Sequence, residues 1–179
     1  MRLKRRPADG RRGPPAPDIV GWASLPVGVV TLAERYGGKV VSRQIYDAMV
    51  EEVGAFVDEF AADHRDLDGF HMLGTSGTVT TIAGVFLRLR RYDRRRVDGC
   101  WLSHDQVSGV VAELMEMSFD QRAANPCIGA ERADLVLAGC AILDAIRRYF
   151  PCERLRVADR GLREGMLVEI CLLYTSRCV

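Results

Sequence analysis

One stretch near the middle of the chain limits the fold more than any other. An apolar run from Phe70 to Leu73 is followed by a turn rich in Gly, Ser and Thr, and then by an apolar stripe through Val79, Ile82 and Val85. A short apolar run predicts a buried strand, and a stripe at intervals of three and four residues predicts an amphipathic helix. The chain is therefore expected to build a strand-turn-helix unit, which is a common ligand-binding topology in α/β proteins.

The turn in this unit has chemistry that suits an anion. Gly74 and Gly77 let a ligand approach the backbone closely, and Thr75, Ser76 and Thr78 add hydroxyl donors to the free N–H groups of the helix start. The sequence Gly-Thr-Ser-Gly-Thr matches neither the phosphate loop that ends in Lys-Ser/Thr nor the three-glycine dinucleotide fingerprint. Simple capping of the helix by Ser or Thr is the alternative interpretation.

The composition is that of an ordinary globular protein with one domain. The chain has 179 residues, of which 48% are hydrophobic and 27% are charged, and this is enough to bury a core. A formal net charge of +1 argues against a broad polyanion-binding surface and against specific nucleic-acid binding, although arginines and a lysine crowd residues 2–12.

Targeting signals and cysteine spacing bear on where such a chain works. No apolar stretch approaches the ~20 residues of a membrane span, and the basic start lacks the apolar core of a signal peptide. We therefore expect a cytoplasmic protein with no membrane partner. The six cysteines show no Cys-x-x-Cys spacing, which favours reduced structural thiols over metal ligands.

The rest of the chain alternates between predicted strands and helices. Strands are expected at 19–24, 70–73, 97–102 and 155–158. Helices are expected as a short apolar segment ending near 35, then at 42–64, after the turn at 74–78, from 103, at 118–125, at 130–150 and from 161 to about 173. This alternation is typical of the α/β class.

Four ordered blocks of the sequence resemble the Ppx/GppA family of exopolyphosphatases and guanosine pentaphosphate phosphohydrolases. They are Ser24-Leu25-Pro26-Val27-Gly28-Val29-Val30 with Glu34-Arg35, Gly74-Thr75-Ser76-Gly77-Thr78, Arg132-Ala133-Asp134-Leu135 with Ala138-Gly139 and Ile142-Leu143, and Asp159-Arg160-Gly161-Leu162-Arg163-Glu164-Gly165-Met166-Leu167. The resemblance implies an α/β fold that is part of an actin-like or sugar-kinase-like ATPase domain (RNase H-like), with helices packed on a short, incomplete sheet. It also implies hydrolysis of phosphoanhydride bonds in polyphosphate or guanosine pentaphosphate, Mg²⁺ as the ion, and a homodimer in the full-length protein.

The same resemblance implies that part of the family's machinery lies before the first block. The family's first phosphate-binding loop, its water-activating glutamate and its second glycine-rich phosphate loop match no position here. We therefore expect a fragment that is inactive alone, with no catalytic residue and no metal ligand. Its expected parts are a disordered basic Pro/Gly arm (1–17), a partial phosphatase domain (18–170) and a non-native tail (171–179), because residues 171–176 match one reading frame of a sequencing adapter.

The expected substrate-binding residues are Gly74, Thr75, Ser76, Gly77, Thr78 and Arg132. Arg132 and Asp134 are expected at the start of the long helix at 130–150, where capping and an ion pair compete with phosphate binding as interpretations. The block from Asp159 to Gly165 favours structural roles. The arginines at 88–96 favour a solvated surface over steering of a polyphosphate chain.

Three functions fit these observations. The first is a fragment of a polyphosphate or guanosine pentaphosphate phosphohydrolase. The second is a phosphate- or nucleotide-binding module that does not catalyse hydrolysis. The third, half of a sugar kinase or another actin-like ATPase, is disfavoured because those proteins normally show different sequence blocks.

Overall fold

The structure is a computed structural model that describes residues 19–64, 67 and 69–175. Within these residues lie eight helices and three strands. The helices are α1 (Val29–Tyr36), α2 (Arg43–Ala62), α3 (Gly77–Phe86), α4 (Arg94–Val97), α5 (His104–Glu116), α6 (Phe119–Ala124), α7 (Val136–Tyr149) and α8 (Leu162–Thr175). The strands are β1 (Met72–Gly74), β2 (Trp101–Ser103) and β3 (Arg154–Val157).

The three strands form one short sheet with β3 in the middle. β1 runs parallel to β3, with Met72 opposite Leu155, and β2 runs antiparallel to β3, with Leu102 opposite Leu155. The parallel pair requires a long crossover, and α3 to α7 lie within it. Because β1 and β3 point the same way, the loops that follow them emerge at the same edge of the sheet.

The core forms mainly where helix α2 packs against helix α7. Tyr46, Met49 and Val53 of α2 are almost completely buried, as are Leu137 and Ala141 of α7. These residues recur at helical spacing, so each helix presents one apolar face to the other. The prediction of an α/β protein with helices packed on a short sheet is confirmed.

Four helices begin at a serine that caps them. Ser42, Ser76, Ser103 and Ser118 each accept a hydrogen bond from the backbone N–H three residues later. Such a bond satisfies one of the N–H groups that a helix start leaves free. The predicted starts of α2, α3, α5 and α6 are therefore confirmed.

Three predictions about the elements are wrong. Residues 19–24 form no strand, because no described residue pairs with their backbone, and Ile19 and Trp22 are exposed. The long helix begins at Val136 rather than at 130, because residues 130–135 form turns whose N–H groups bond carbonyls three residues earlier. The third predicted strand begins at Trp101, since residues 94–97 form the short helix α4.

A buried polar network joins α2, α5 and α7. The hydroxyl of Tyr46 donates to the Asp144 carboxylate at 2.7 Å, and Arg147 donates to the same carboxylate at 2.7 Å. Arg147 also donates to the His104 carbonyl. Burial, more than the nearby charges, raises the pKa of Tyr46, so the hydroxyl stays protonated and able to donate.

Two predicted segments fall partly or wholly outside the described residues. The predicted arm at 1–17 lies outside them, and so do residues 176–179 of the predicted tail, whereas α8 continues through Thr175. No helix in the described ranges combines the length and the apolar character needed to cross a membrane.

Candidate functional site

The turn after β1 presents free backbone donors to solvent. Thr75, Ser76 and Gly77 are exposed, and the Ser76 Oγ accepts from the Val79 N–H at 3.3 Å, so this serine caps α3. The N–H groups of Gly77 and Thr78 have no hydrogen-bond partner among the described residues. The turn therefore caps the helix and still keeps N–H groups available for an anion.

Arg132 lies directly against this turn. A Cβ added to Gly77 would stand 3.3 Å from Nη1 of Arg132, so the guanidinium lies in close contact with the start of α3. The Arg132 side chain is exposed and makes no hydrogen bond or ion pair with any described residue. It comes from the turns at 130–135 and not from the start of a helix, which corrects its predicted setting.

The turn and Arg132 line a cleft of about 350 Å³ at the carboxyl edge of the sheet. Such a volume falls within the range of small-molecule sites. The lining residues are Thr75, Ser76, Gly77, Thr80, Tyr92, Pro126, Cys127, Ile128, Gly129, Arg132 and Asp159. A smaller cavity of about 200 Å³ on α3 is also lined by Arg132, together with Thr78 and apolar side chains of α1 and α7. Five of the six predicted binding residues thus lie around these two cavities. The sixth, Gly74, lines a neighbouring cavity of about 400 Å³ between the turn and α7.

Asp159 and Tyr92 are cleft residues that the sequence reasoning did not propose as ligand contacts. Asp159 follows β3 and therefore meets the turn after β1 at the shared sheet edge. Its Oδ2 lies 3.0 Å from Nε of Arg94, and its backbone N–H donates to Oδ1 of Asp98 at 2.9 Å. No local sequence signal marks Asp159, because it reaches the cleft only through the parallel pairing of the two strands.

Tyr92 lines the cleft together with Asp159 and Thr80 of α3. Burial first, and then the nearby Asp159 carboxylate, raise the pKa of Tyr92. Thr80 is buried and donates to the Gly77 carbonyl at 3.0 Å, so this polar wall is continuous with the turn.

A buried arginine fixes the segment that carries Arg132. Arg122 is 2% exposed and donates to the carbonyls of Ala133 (3.0 Å), Met117 (2.6 Å), Gly38 (3.2 Å) and Lys39 (2.8 Å). No described carboxylate pairs with it, and burial lowers its pKa, although a guanidinium stays charged. The carbonyls therefore replace water around this cation and tie three loops together.

Helix α7 packs closely against the start of α3. A Cβ added to Gly139 would lie 2.1 Å from Oγ1 of Thr78, so only glycine allows the two helices to approach this closely. Gly139, which belongs to the third sequence block, thus serves packing against the candidate site.

The other candidate residues lie elsewhere or have structural partners. Of the arginines at 88–96, Arg88 pairs with Glu113 and Arg94 with Asp159. In the last block, Gly161 donates to the Glu164 carboxylate at 2.8 Å and thereby lowers its pKa, which is a capping role for α8. Among the described residues no three His, Cys, Asp or Glu side chains group as a metal site would require.

Comparison with known proteins gives consistent results. The model of the Ppx/GppA phosphatase family matches residues 17–174. The crystal structure of the Aquifex aeolicus member of that family is 27% identical and superposes with a TM-score of 0.73, over 85% of this chain and 49% of that one. An exopolyphosphatase structure from Cytophaga hutchinsonii, 17% identical, shows the same fold with a TM-score of 0.75, over 86% of this chain and 50% of that one.

A curated Haemophilus influenzae protein, named provisionally as an exopolyphosphatase, is 22% identical over 114 residues, which are 64% of this chain and 33% of that protein. The chain thus spans about half of the solved structures and a third of the curated relative. The structural likeness confirms the predicted fold, a partial actin-like α/β domain.

Proposed function

Because the chain belongs to the Ppx/GppA phosphatase family, we propose that it binds the phosphate groups of inorganic polyphosphate or guanosine pentaphosphate in the cleft beside α3. In the phosphatase family such binding serves the hydrolysis of phosphoanhydride bonds. Gly74, Thr75, Ser76, Gly77, Thr78 and Arg132 are the proposed binding residues. Relatives named as exopolyphosphatases support this class of substrate.

One observation carries this proposal, namely the position of Arg132. Its guanidinium lies against the start of α3, beside the N–H groups of Gly77 and Thr78, and has no described protein partner. A planar guanidinium can donate two parallel hydrogen bonds to a phosphate. The helix start adds backbone N–H donors that carry partial positive charge. The three groups form a cradle for one phosphate.

The cleft supplies donors for phosphate but lacks a free base. Hydrolysis needs a water in line with the leaving group, a carboxylate to orient it and donors or a metal ion to neutralise charge. Among the described lining residues Asp159 is the one carboxylate, and Arg94 already pairs with it. We therefore propose that this chain binds its ligand without hydrolysing it.

Mg²⁺, when bound, would neutralise charge on the phosphate oxygens. The described cleft residues do not form a site for it, because a single ion-paired carboxylate is a poor ligand set.

A titration with matched variants tests the binding proposal. Binding of inorganic polyphosphate is measured by calorimetry for the wild type, Arg132→Gln and Arg148→Gln, at one salt concentration with MgCl₂ present. Arg148 is exposed on α7 and lines neither cavity, so its loss controls for the change in net charge. We expect Arg132→Gln to weaken binding about tenfold and Arg148→Gln to weaken it little.

Phosphate release from polyphosphate and from guanosine pentaphosphate is measured on the same samples. Binding without release agrees with the proposal. Equal weakening by both variants would contradict the assignment of Arg132, and release by the wild type would show that a catalytic carboxylate lies in this chain.

A further inference from the structure

Resting on the proposed function, we propose that the loop between α1 and α2 positions Arg132 for phosphate, and that it does so through Gly38 and Arg122. Both are positioning residues, because neither of them lines a cavity that Arg132 lines. They act on the backbone of residues 132–135, which carries the Arg132 side chain. Phosphate affinity is therefore set in part by a loop that lies outside the cleft.

The Arg132 guanidinium depends on its own backbone for its position. The side chain is exposed and makes no hydrogen bond or ion pair within the part of the chain that the structure describes. The backbone is held more firmly, because the Ala133 side chain is completely buried and the Arg132 carbonyl accepts from the Val136 N–H at 3.0 Å. A displacement of this backbone would therefore move the guanidinium relative to the N–H groups at the start of α3.

Arg122 attaches this backbone to the loop between α1 and α2. Its Nε donates to the Ala133 carbonyl at 3.0 Å, and its Nη2 donates to the carbonyls of Gly38 at 3.2 Å and Lys39 at 2.8 Å. A guanidinium is planar and rigid, so donors on two of its nitrogens fix both the distance and the orientation between the two segments. The residue next to Arg132 is thus placed by a side chain that never reaches the cleft.

Gly38 also touches the same backbone directly. A Cβ added to Gly38 would overlap the carbonyl oxygen of Asp134, so only glycine allows the loop to approach residues 132–135 this closely. A side chain at position 38 would push the two segments apart while Arg122 still tied them together. The backbone that carries Arg132 would then have to shift.

A further contact holds the loop to the helix that carries Arg122. Nζ of Lys39 lies 5.4 Å from the ring centroid of Phe119, the first residue of α6. A cation over an aromatic face is attracted to it. The loop therefore reaches residues 132–135 both directly and through α6, and a change in the loop is transmitted to Arg132.

Polyphosphate titrations of single and double variants test this inference. Gly38→Ala introduces the overlap with Asp134, and Arg122→Lys keeps the charge but loses the planar arrangement of donors. Gly109→Ala is the matched control, since Gly109 is exposed on α5 and an added Cβ would meet no atom of a neighbouring element within 4 Å. Each substitution is made alone and together with Arg132→Gln.

Calorimetry measures the binding of inorganic polyphosphate at one salt concentration with MgCl₂ present. Near-ultraviolet circular dichroism identifies the variants that are folded, and affinities are compared among these. Two variants that disturb the same backbone in different ways keep the test valid if one of them does not fold.

We expect Gly38→Ala and Arg122→Lys each to weaken polyphosphate binding about three- to tenfold when Arg132 is present, because the guanidinium no longer meets the phosphate in the right geometry. In the Arg132→Gln background either substitution should change the affinity by less than about twofold, since the group that it positions is absent. Gly109→Ala should leave the affinity unchanged in both backgrounds. A purely structural role would weaken binding equally with and without Arg132.

Wild-type affinity in a folded Gly38→Ala or Arg122→Lys protein would overturn the positioning role of that residue. Equal weakening in the two backgrounds would also overturn it, since the effect would then not pass through Arg132. The proposed function fails separately: absence of polyphosphate binding by the wild type, or undiminished binding by Arg132→Gln, would refute the phosphate cradle itself before the loop variants are compared.

Discussion

Replacing Arg122 with methionine should lower the stability of the protein more than a substitution at any exposed position. The guanidinium is 2% exposed and satisfies four backbone carbonyls from three loops. Methionine fills a similar volume with apolar atoms and donates no hydrogen bond. The four carbonyls would lose their charged donor while remaining largely inside the protein.

The size of the effect follows from two opposing contributions. A hydrogen bond from a charged donor contributes about 1.5–3 kcal/mol, so four of them suggest a large loss. Burying the guanidinium costs free energy in the native state, as its lowered pKa indicates, and methionine does not carry this cost. We expect a net loss of about 3–5 kcal/mol in the free energy of unfolding, out of the 5–15 kcal/mol that is typical of a domain.

Urea denaturation, followed by circular dichroism, measures the loss. Arg148→Met is the matched control, because Arg148 is exposed on α7 and should change stability by no more than about 0.5 kcal/mol. The slope of the transition should stay unchanged, since both states expose similar surface. A loss below about 1 kcal/mol for Arg122→Met would refute the view that this cation holds the three loops together.

Two further predictions concern packing and thiol chemistry. Gly139→Ala places a methyl group against Thr78 and should lower the free energy of unfolding, measured by urea denaturation, by about 1–2 kcal/mol, because the strain exceeds the gain in helix propensity. Adding Thr78→Ala should recover part of this loss. An unchanged denaturation midpoint for Gly139→Ala would contradict the contact. Burial raises the pKa of the Cys140 thiol and keeps reagents away from it. Alkylation at pH 8, mapped by mass spectrometry, should therefore modify Cys140 only as urea unfolds the protein. Rapid labelling of Cys140 in the native protein would be inconsistent with its burial.

The sequence predicted those features that depend on neighbouring residues. Serine caps and apolar spacing are local, and they placed the starts of α2, α3, α5 and α6. The start of α7 was missed because the turns at 130–135 depend on distant contacts, such as the bond from Arg122 to the Ala133 carbonyl. The strand expected at 19–24 failed for a related reason, since a strand needs a partner that no local pattern reveals.

The candidate site likewise combines residues that the sequence predicted and residues that it did not. Gly74 to Thr78 stood out because glycine and hydroxyl residues cluster in a single turn. Tyr92 carries no such signal, and Asp159 joins the cleft only because β1 and β3 run parallel across a long crossover. Contacts between residues far apart in the chain can be recognised only after the topology is known.

The packing of α2 on α7 has a consequence for how the chain acquires its structure. Tyr46 and Asp144, which join these helices, are 98 residues apart. During synthesis the apolar face of α2 therefore leaves the ribosome long before the helix that covers it. Closing so long a loop slows folding and exposes hydrophobic surface to other nascent chains. This protein should depend on chaperones until α7 has been translated.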